Sequence, residues 1–449
     1  MRPTRGAEGR NLGRRQFLQA SAGLILPHFV PRDTSLVRAQ PQATLTASDD
    51  AFLEDLSHRI FRYFWEQASP ETGLVLDRSR TDGSPINPRE RTVASIAATG
   101  FGLTALSIGA EREWVLLQEA RECVRATLRF FANHAPRQQG WFYHWLDPAN
   151  GERRWQSEVS SLDTALLLGG VLTARQKFSD DPEIVRLATI IYEAVDFPWM
   201  LNGDPLLLSH GWKPETGFLR SRWDSFCEHT ILYLLAVGSP THPIPPSAWY
   251  AWKRPQITYA GFTYINCCSL FVHQYAHAWI DFRRRRDRRL ADFFLNSVEA
   301  TRAHRAFCES LSREYPGYSA DVWGITASDS VHGYVEWGGP PHDPRIDGTV
   351  VPCAAGGSLM FTPDICLAAL RVMQERFGDQ VYGRYGFTDA FRPNGGPKLA
   401  WIDPDVIGIN LGITLLSIEN LRSENVWRWF MSNPEPRLAL EQVGFESYP

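Results

Sequence analysis

The 449-residue chain lacks the spacings by which several kinds of chemistry announce themselves. It has no G-x-S-x-G elbow, no Walker loop and no dinucleotide fingerprint, so nothing points to a serine-hydrolase elbow, a P-loop or a Rossmann cofactor domain. Its seven cysteines (Cys123, Cys227, Cys267, Cys268, Cys308, Cys353, Cys366) are odd in number and contain no C-x-x-C. They make neither a disulfide framework nor a zinc ribbon and read mostly as small buried apolar residues. Low-complexity segments are missing, and convincing alternating strands are few. What remains is an apolar fraction of 44%, ordinary for a globular chain, with 16 tryptophans.

An excess of positive charge is missing too, and the charge present is concentrated at one end. Residues 1–39 hold seven arginines against Glu8 and Asp33, so without them the formal charge moves from −4 to −9. An acidic body argues against nucleic acid or an anionic membrane surface as partner. The segment "GRRQFLQASAGLIL" places Arg14 and Arg15 before Phe17, Leu18 and a short apolar run. This is the pattern of a twin-arginine export signal; Val37-Arg38-Ala39 offers a cleavage site, and the run is too short to stay in a bilayer. The expectation is a signal peptide over 1–39, a linker over 40–48 and one domain over 49–449. Its location would be periplasmic or secreted, with the twin-arginine translocation machinery as a transient partner.

Asp49 and Asp50 stand where an N-cap belongs, ahead of "AFLEDLSHRIFRYFWEQA", whose Phe52, Leu56, Ile60, Tyr63 and Phe64 share one side. Further helices are expected near 92–108, 114–133, 161–177, 183–196, 225–237, 268–281, 288–309, 363–377, 406–420 and 425–432. The class is all-α. Alternately short and long connections suit a double ring of helices, an (α/α)6 toroid, with the long loops forming a cleft at one end.

Within "RWDSFCEHTILYLLAVGSP", Glu228 projects from the face that Ile231, Leu232 and Leu235 would bury. A carboxylate there must be paired, and Arg222 or Arg220 could do it, or be kept for chemistry. In "SEVSSLDTALLLGG", Ser160 and Ser161 are candidate caps and Asp163 falls in the first helical turn, where the macrodipole alone could explain it. Glu158 has no such local reason, and exposure to water is its ordinary fate. One protonated and one ionised carboxyl are what cleavage of a glycosidic bond requires. Aromatic residues crowd beside acids in "GWFYHWLDP", "AWYAWKRP" and "DVWGITASDSVHGYVEWGGP", as in a sugar-binding cleft, although a chain with this many tryptophans also buries many of them. "HQYAH" sets His273 and His277 one helical turn apart like zinc ligands, but Gln274 stands where a metalloprotease carries Glu. Neither metal nor cofactor is expected.

The strings "SEVSSLDTALL", "EHTILYLLAVGSPTHPIP", "FVHQYAHAWIDFR", "WGITASD", "DGTVVPCAAGGSLMF" and "YGFTDAF" resemble, in this order, the bacterial glucoamylase-like family that includes endo-β-1,2-glucanases. The resemblance implies the (α/α)6 toroid, an oligo- or polysaccharide partner of the β-glucan type, and hydrolysis by carboxylates without metal. It makes Glu228 the leading catalytic candidate, with Asp163 as companion and Glu158 in the same cleft; the apolar surroundings expected of Glu228 suit it to be the acid. Trp145, Trp223, His242, His277, Trp279, Trp323, Asp329, Tyr334, Glu336 and Trp337 are the candidates for contact with substrate. Two departures bear on specificity: Asn410 and Leu411 replace a charged contact in "IGINLG", and Ser160 and Ser161 stand where relatives place acids. Transfer of the cleaved sugar chain to another sugar, or glucan binding without catalysis, are the alternatives.

Overall fold

The computed structural model describes residues 45–84 and 92–449. The export signal expected over 1–39 and most of the expected linker lie outside the described residues. Residues 45–449 make one compact unit.

Thirteen α-helices occur among the described residues: α1 Ala47–Glu66, α2 Ile96–Glu111, α3 Leu117–Asn133, α4 Ser161–Lys177, α5 Pro182–Glu193, α6 Phe197–Leu201, α7 Thr230–Val237, α8 Phe293–Ser310, α9 Pro352–Gly356, α10 Pro363–Phe377, α11 Gly408–Ser423, α12 Asn425–Met431 and α13 Pro434–Val443. They fall into two kinds. α1, α3, α5 and α10 bury one stripe each, for instance Ala120, Val124, Leu128 and Phe131 on α3, and turn a charged face outward. α2, α4, α7 and α11 are buried almost all round. A helix apolar or small on every face has no water side, so these four are the inner helices. α2 packs against α4 and α11, and α4 against α5 and α7. The α2–α4 contact depends on two glycines: a Cβ on Gly100 would lie 2.3 Å from the Leu166 carbonyl oxygen, and one on Gly170 would lie 2.0 Å from that of Gly100. Alanine at either position would force the pair apart.

Several expectations shift. α1 starts two residues before Asp49, capped by Thr46, whose hydroxyl accepts from the Asp49 N–H while the Asp49 carboxylate accepts from the Thr46 N–H. Asp49 is thus the third helical residue, closing a capping box, and not the cap, an arrangement that contributes about 1 kcal/mol. The helix expected over 225–237 begins only at Thr230, so Glu228 lies in the turn ahead of it. The one expected over 268–281 is two 3-10 turns, Leu270–His273 and Tyr275–Ala278. Side chains of neighbouring elements fix this segment instead of an α-helical ladder: Ser297 donates to the His273 carbonyl at 2.8 Å, and the Gln274 amide donates to Ala354 O and Ser358 Oγ. Nineteen strands of two to four residues appear among the described residues where few were expected; at that length no alternation can show in a sequence.

Those strands position the inner helices. Ala94–Ser95 runs directly into α2, Val159–Ser160 into α4 and Asp405–Ile407 into α11. Asp405–Ile407 pairs with Arg78–Arg80, Leu76 bridges to Ala94, Ala94–Ser95 pairs with Trp145–Leu146, Tyr143 bridges to Val159, and Val159–Ser160 pairs with Gly211–Lys213. Ser209 then bridges to Arg222, shortly before α7. A continuous rim of short pairings therefore ties together the N-terminal ends of α11, α2, α4 and α7.

Candidate active site

The rim carries the carboxylates. At the α4 entry Ser160 is the N-cap, accepting from the Asp163 N–H at 3.1 Å, and its hydroxyl donates in turn to Asp163 Oδ2. Asp163 is buried at the positive end of the helix, which stabilises negative charge there. Its other oxygen, Oδ1, lies 3.6 Å from His144 Nε2, while Nδ1 of the same ring lies 3.3 Å from Glu158 Oε1. One imidazole thus stands between the two carboxylates picked from the sequence. Glu158 was expected in water; its side chain is only 13% exposed, because it packs over Gly211, where a Cβ would meet its Cγ at 2.9 Å. The His144 ring is itself stacked on Trp145, with centroids 3.9 Å apart and planes 16° from parallel.

The α7 entry lies one aromatic pair away. Ser161 Oγ donates to the His210 carbonyl and accepts from Trp223 Nε1, and the Trp223 indole stacks on the His210 ring at 3.8 Å. Trp223 also leans on His229, the residue after Glu228, with centroids 5.5 Å apart. Burial keeps His229 neutral, its pKa held well below the usual imidazole value, with His210 and Arg254 nearby adding to the effect. Glu228 is buried, and the Cys227 thiol donates to its Oε2 at 2.5 Å. Arg222, offered by the sequence as its partner, directs its guanidinium to the carbonyls of Leu201, Leu207 and Asn202; Arg220 is exposed.

A second group of acids stands at the α11 entry. Asp329, on the hairpin of Ser328–Ser330 with Gly333–Val335, faces Tyr334 across the pair and accepts from Arg78 Nη1 at 2.5 Å. Its N–H donates to Asp389 Oδ2 at 3.0 Å, and Asn410 of α11 donates to Asp389 Oδ1 at 2.7 Å. Asp405 accepts from Arg80 at 2.8 Å and gives its own N–H to Asp403 Oδ1. Oxygens of Asp329, Asp403 and Asp405 come within 4.8 Å of one another, the spacing at which carboxylates can hold a cation. Arg78 and Arg80 already set two positive charges against them. Burial, then the Asp329 charge, raises Asp389 to about 7, and burial, then Asp389 and Asp329, raises Asp403 to about 9, which favours the neutral form of each.

The other sequence candidates disperse. Tyr334 and Glu336 are half-buried on and just after the hairpin, and Trp337 anchors it from below through a bond from Nε1 to Ser328 Oγ. Trp323 is enclosed beside His304. Trp279 is fully buried, its Nε1 donating to Thr104 and its ring lying over Gly169. His277 is enclosed by Phe282, Phe294 and Phe361, with Nε2 3.2 Å from Ser297 Oγ, and burial lowers its pKa to about 3. His273 is buried likewise and lies in a different 3-10 turn, so the two do not share a helix face as zinc ligands would. His242 is exposed just past the C-terminal end of α7, about 12 Å of helix from Glu228. Sequence reasoning passed over His144, His210, Arg78, Arg80, Asp389, Asp403 and Asp405. The last two, two apart in "WIDPDVIG" before a helix, and His144 in "FYHW" were the available signals.

The fold and the rim define a helix-rich protein with a polar site of carboxylates, histidines and indoles over the ends of its inner helices. The family model described as "Putative glucoamylase" matches residues 220–434, so this part of the chain is similar to that family. The chain is 26% identical over 441 residues to an exo β-1,2-glucooligosaccharide sophorohydrolase (non-reducing end) of Parabacteroides distasonis, a match that covers 89% of this chain and 58% of the relative. The chain thus spans somewhat over half the length of that relative. Among solved structures it is similar to the endo-β-1,2-glucanase from Chitinophaga pinensis, in complex with sophorotriose and glucose, with TM-score 0.82, 28% identity and coverage of 90% of this chain and 99% of that one. A β-1,2-glucanase from Parabacteroides distasonis matches with TM-score 0.80 and 25% identity over 89% of this chain and 61% of the other.

Proposed function

We propose that the chain is a glycoside hydrolase cleaving β-1,2-linked glucan, built as one (α/α)6 toroidal domain over 49–449 and exported by the twin-arginine route to the periplasm or beyond. The observation that carries the reading is the gathering of Glu158 and Asp163 on His144, joined through Ser161, Trp223 and His210 to the Glu228 turn. The relatives named above supply the substrate class. Glycosidic cleavage divides labour between a carboxyl that gives a proton to the leaving oxygen and a carboxylate that activates water or attacks the sugar. Glu228, in its buried aromatic turn, is the proton donor of this reading. Asp163 is the ionised partner, since a cap hydroxyl, an imidazole and a helix N-terminus all favour negative charge on it. Trp145, only partly buried and backed by His144, offers an indole face to a sugar ring.

The purified protein incubated separately with β-1,2-, β-1,3- and α-1,4-glucans tests this. Reducing ends are expected to accumulate from β-1,2-glucan alone. Cleavage confined to α-1,4-glucan would overturn the substrate, glucan binding without product would overturn the enzyme, and longer oligosaccharides at high substrate concentration would replace hydrolysis by transfer.

A further inference from the structure

The Glu228 turn carries a feature that the hydrolytic reading does not use. Cys227 Sγ lies 3.9 Å from Cys267 Sγ, although the two residues are 40 positions apart and no cysteine spacing foretold the meeting. Cys227 is buried, while Cys267 is partly exposed on the segment between the strand Phe262–Ile265 and the turn at Leu270. The sulfurs are too far apart for a bond, which needs about 2.05 Å, and near enough that side-chain rotation with a small backbone adjustment could close the gap. The Cys227 thiol points at Glu228 Oε2, 2.5 Å away. The same thiol can therefore serve as a hydrogen-bond donor to the carboxylate or as one half of a disulfide, but not both.

We propose that Cys227 and Cys267 form a reversible oxidative cross-link beside Glu228, with a small-molecule or protein disulfide as oxidant. The proposal of its effect on catalysis rests on the hydrolase reading; the cross-link itself does not. In the first step the accessible Cys267 sulfur, having lost its proton to water, attacks one sulfur of the oxidant, breaking the oxidant's S–S bond and releasing one thiolate. In the second, Cys227 Sγ attacks Cys267 Sγ, the mixed S–S bond breaks, and the second oxidant thiolate leaves. In molecules whose Glu228 is ionised, the Cys227 proton passes to its Oε2 and from there to solvent and the departing thiolate. Two protein thiols are oxidised, and one oxidant disulfide is reduced to two thiols. Burial raises the Cys227 thiol well above its usual range, so an adjacent carboxylate as proton acceptor answers a real need of that step. Once cross-linked, Cys227 no longer donates to Glu228. A donor to a carboxylate favours its ionised form, so its loss moves the titration of Glu228 upward.

The test treats the full protein with oxidised glutathione or with dithiothreitol and reads three things: peptide mass mapping, thiol count, and rate against pH on β-1,2-glucan. Oxidation is expected to remove two thiols, to join the Cys227 and Cys267 peptides, and to displace the alkaline limb of the profile upward, all reversibly. Cys267→Ser, which leaves the Cys227 thiol in place, is expected to match the reduced wild type in both treatments. Cys227→Ser, which keeps a hydroxyl donor, is expected to retain the reduced profile better than Cys227→Ala. No thiol loss, a Cys267–Cys268 link, or only a lasting adduct of glutathione would overturn the cross-link. A cross-link that leaves rate and pH profile unchanged would overturn its effect on Glu228. Should the protein hydrolyse no glucan at all, the mass map still decides the cross-link while the hydrolase reading fails separately.

Discussion

Two groups of carboxylates occupy the same rim, and the protein handles their charge differently. At the α4 entry, Asp163 and Glu158 share one imidazole, a kind of group that can give or take a proton, while a cap hydroxyl and a helix end hold Asp163. At the α11 entry, Asp329 and Asp405 are clamped by Arg78 and Arg80, which do not release protons, and Asp389 and Asp403 are pushed toward their neutral forms by burial. The first arrangement suits turnover. The second suits a fixed wall that holds the Ser328–Ser330 hairpin and the start of α11 in register. Like residues do unlike work because their neighbours differ, which counting acids along a chain cannot detect.

The comparison can be broken by mutation. The largest effect belongs to the first group: Glu228→Gln is expected to lower kcat on β-1,2-glucan by about 10²–10⁴-fold while leaving thermal unfolding near wild type. Activity close to wild type would remove Glu228 from the chemistry.

Next comes a pH effect confined to the second group. A carboxyl whose folded pKa lies above its unfolded value binds more protons when folded. Its stabilisation is complete below about pH 4 and is lost as pH rises through the folded values, here about 7 for Asp389 and about 9 for Asp403. Stability measured by urea unfolding should therefore fall between pH 6 and 9.5 by up to about 1.4 kcal/mol per pH unit per proton released. In Asp403→Asn, which keeps an acceptor for the Asp405 N–H, that fall should be shallower. Equal slopes in the two proteins would show that Asp403 is not held protonated.

The smallest expected effect sharpens the boundary of the first group. Trp145→Ala should raise KM about 2–10-fold with little change in kcat, the loss of one stacking face. A fall in kcat instead would mean that Trp145 acts by holding His144 in place.

How much of this the sequence made legible varies by element. α4 over 161–177 and α10 over 363–377 were bounded correctly because Ser160 caps the first and Pro363 and Gly378 flank the second, all local signals. The segment around His273 misled because its Gln274 is fixed by a carbonyl 80 positions away and a hydroxyl 84 positions away. Asp163 stands out in the first turn of a helix and Glu158 just before its cap, both local positions, but Trp279 and His277 fall among the expected contact residues because an aromatic string looks the same whether it faces a hollow or the core. The Arg78 and Arg80 clamps escaped because their acids are hundreds of residues distant.

By itself the sequence determined the helical class, the caps that begin several helices and the residue types able to move protons, since periodicity and capping act over a few positions. Only the tertiary structure decided which acids share an imidazole, which are pinned by guanidinium, and which two of the seven sulfurs meet beside Glu228. Electrostatic energy and hydrogen bonding depend on distance in space, and the rim of short strands brings together groups that the chain keeps far apart.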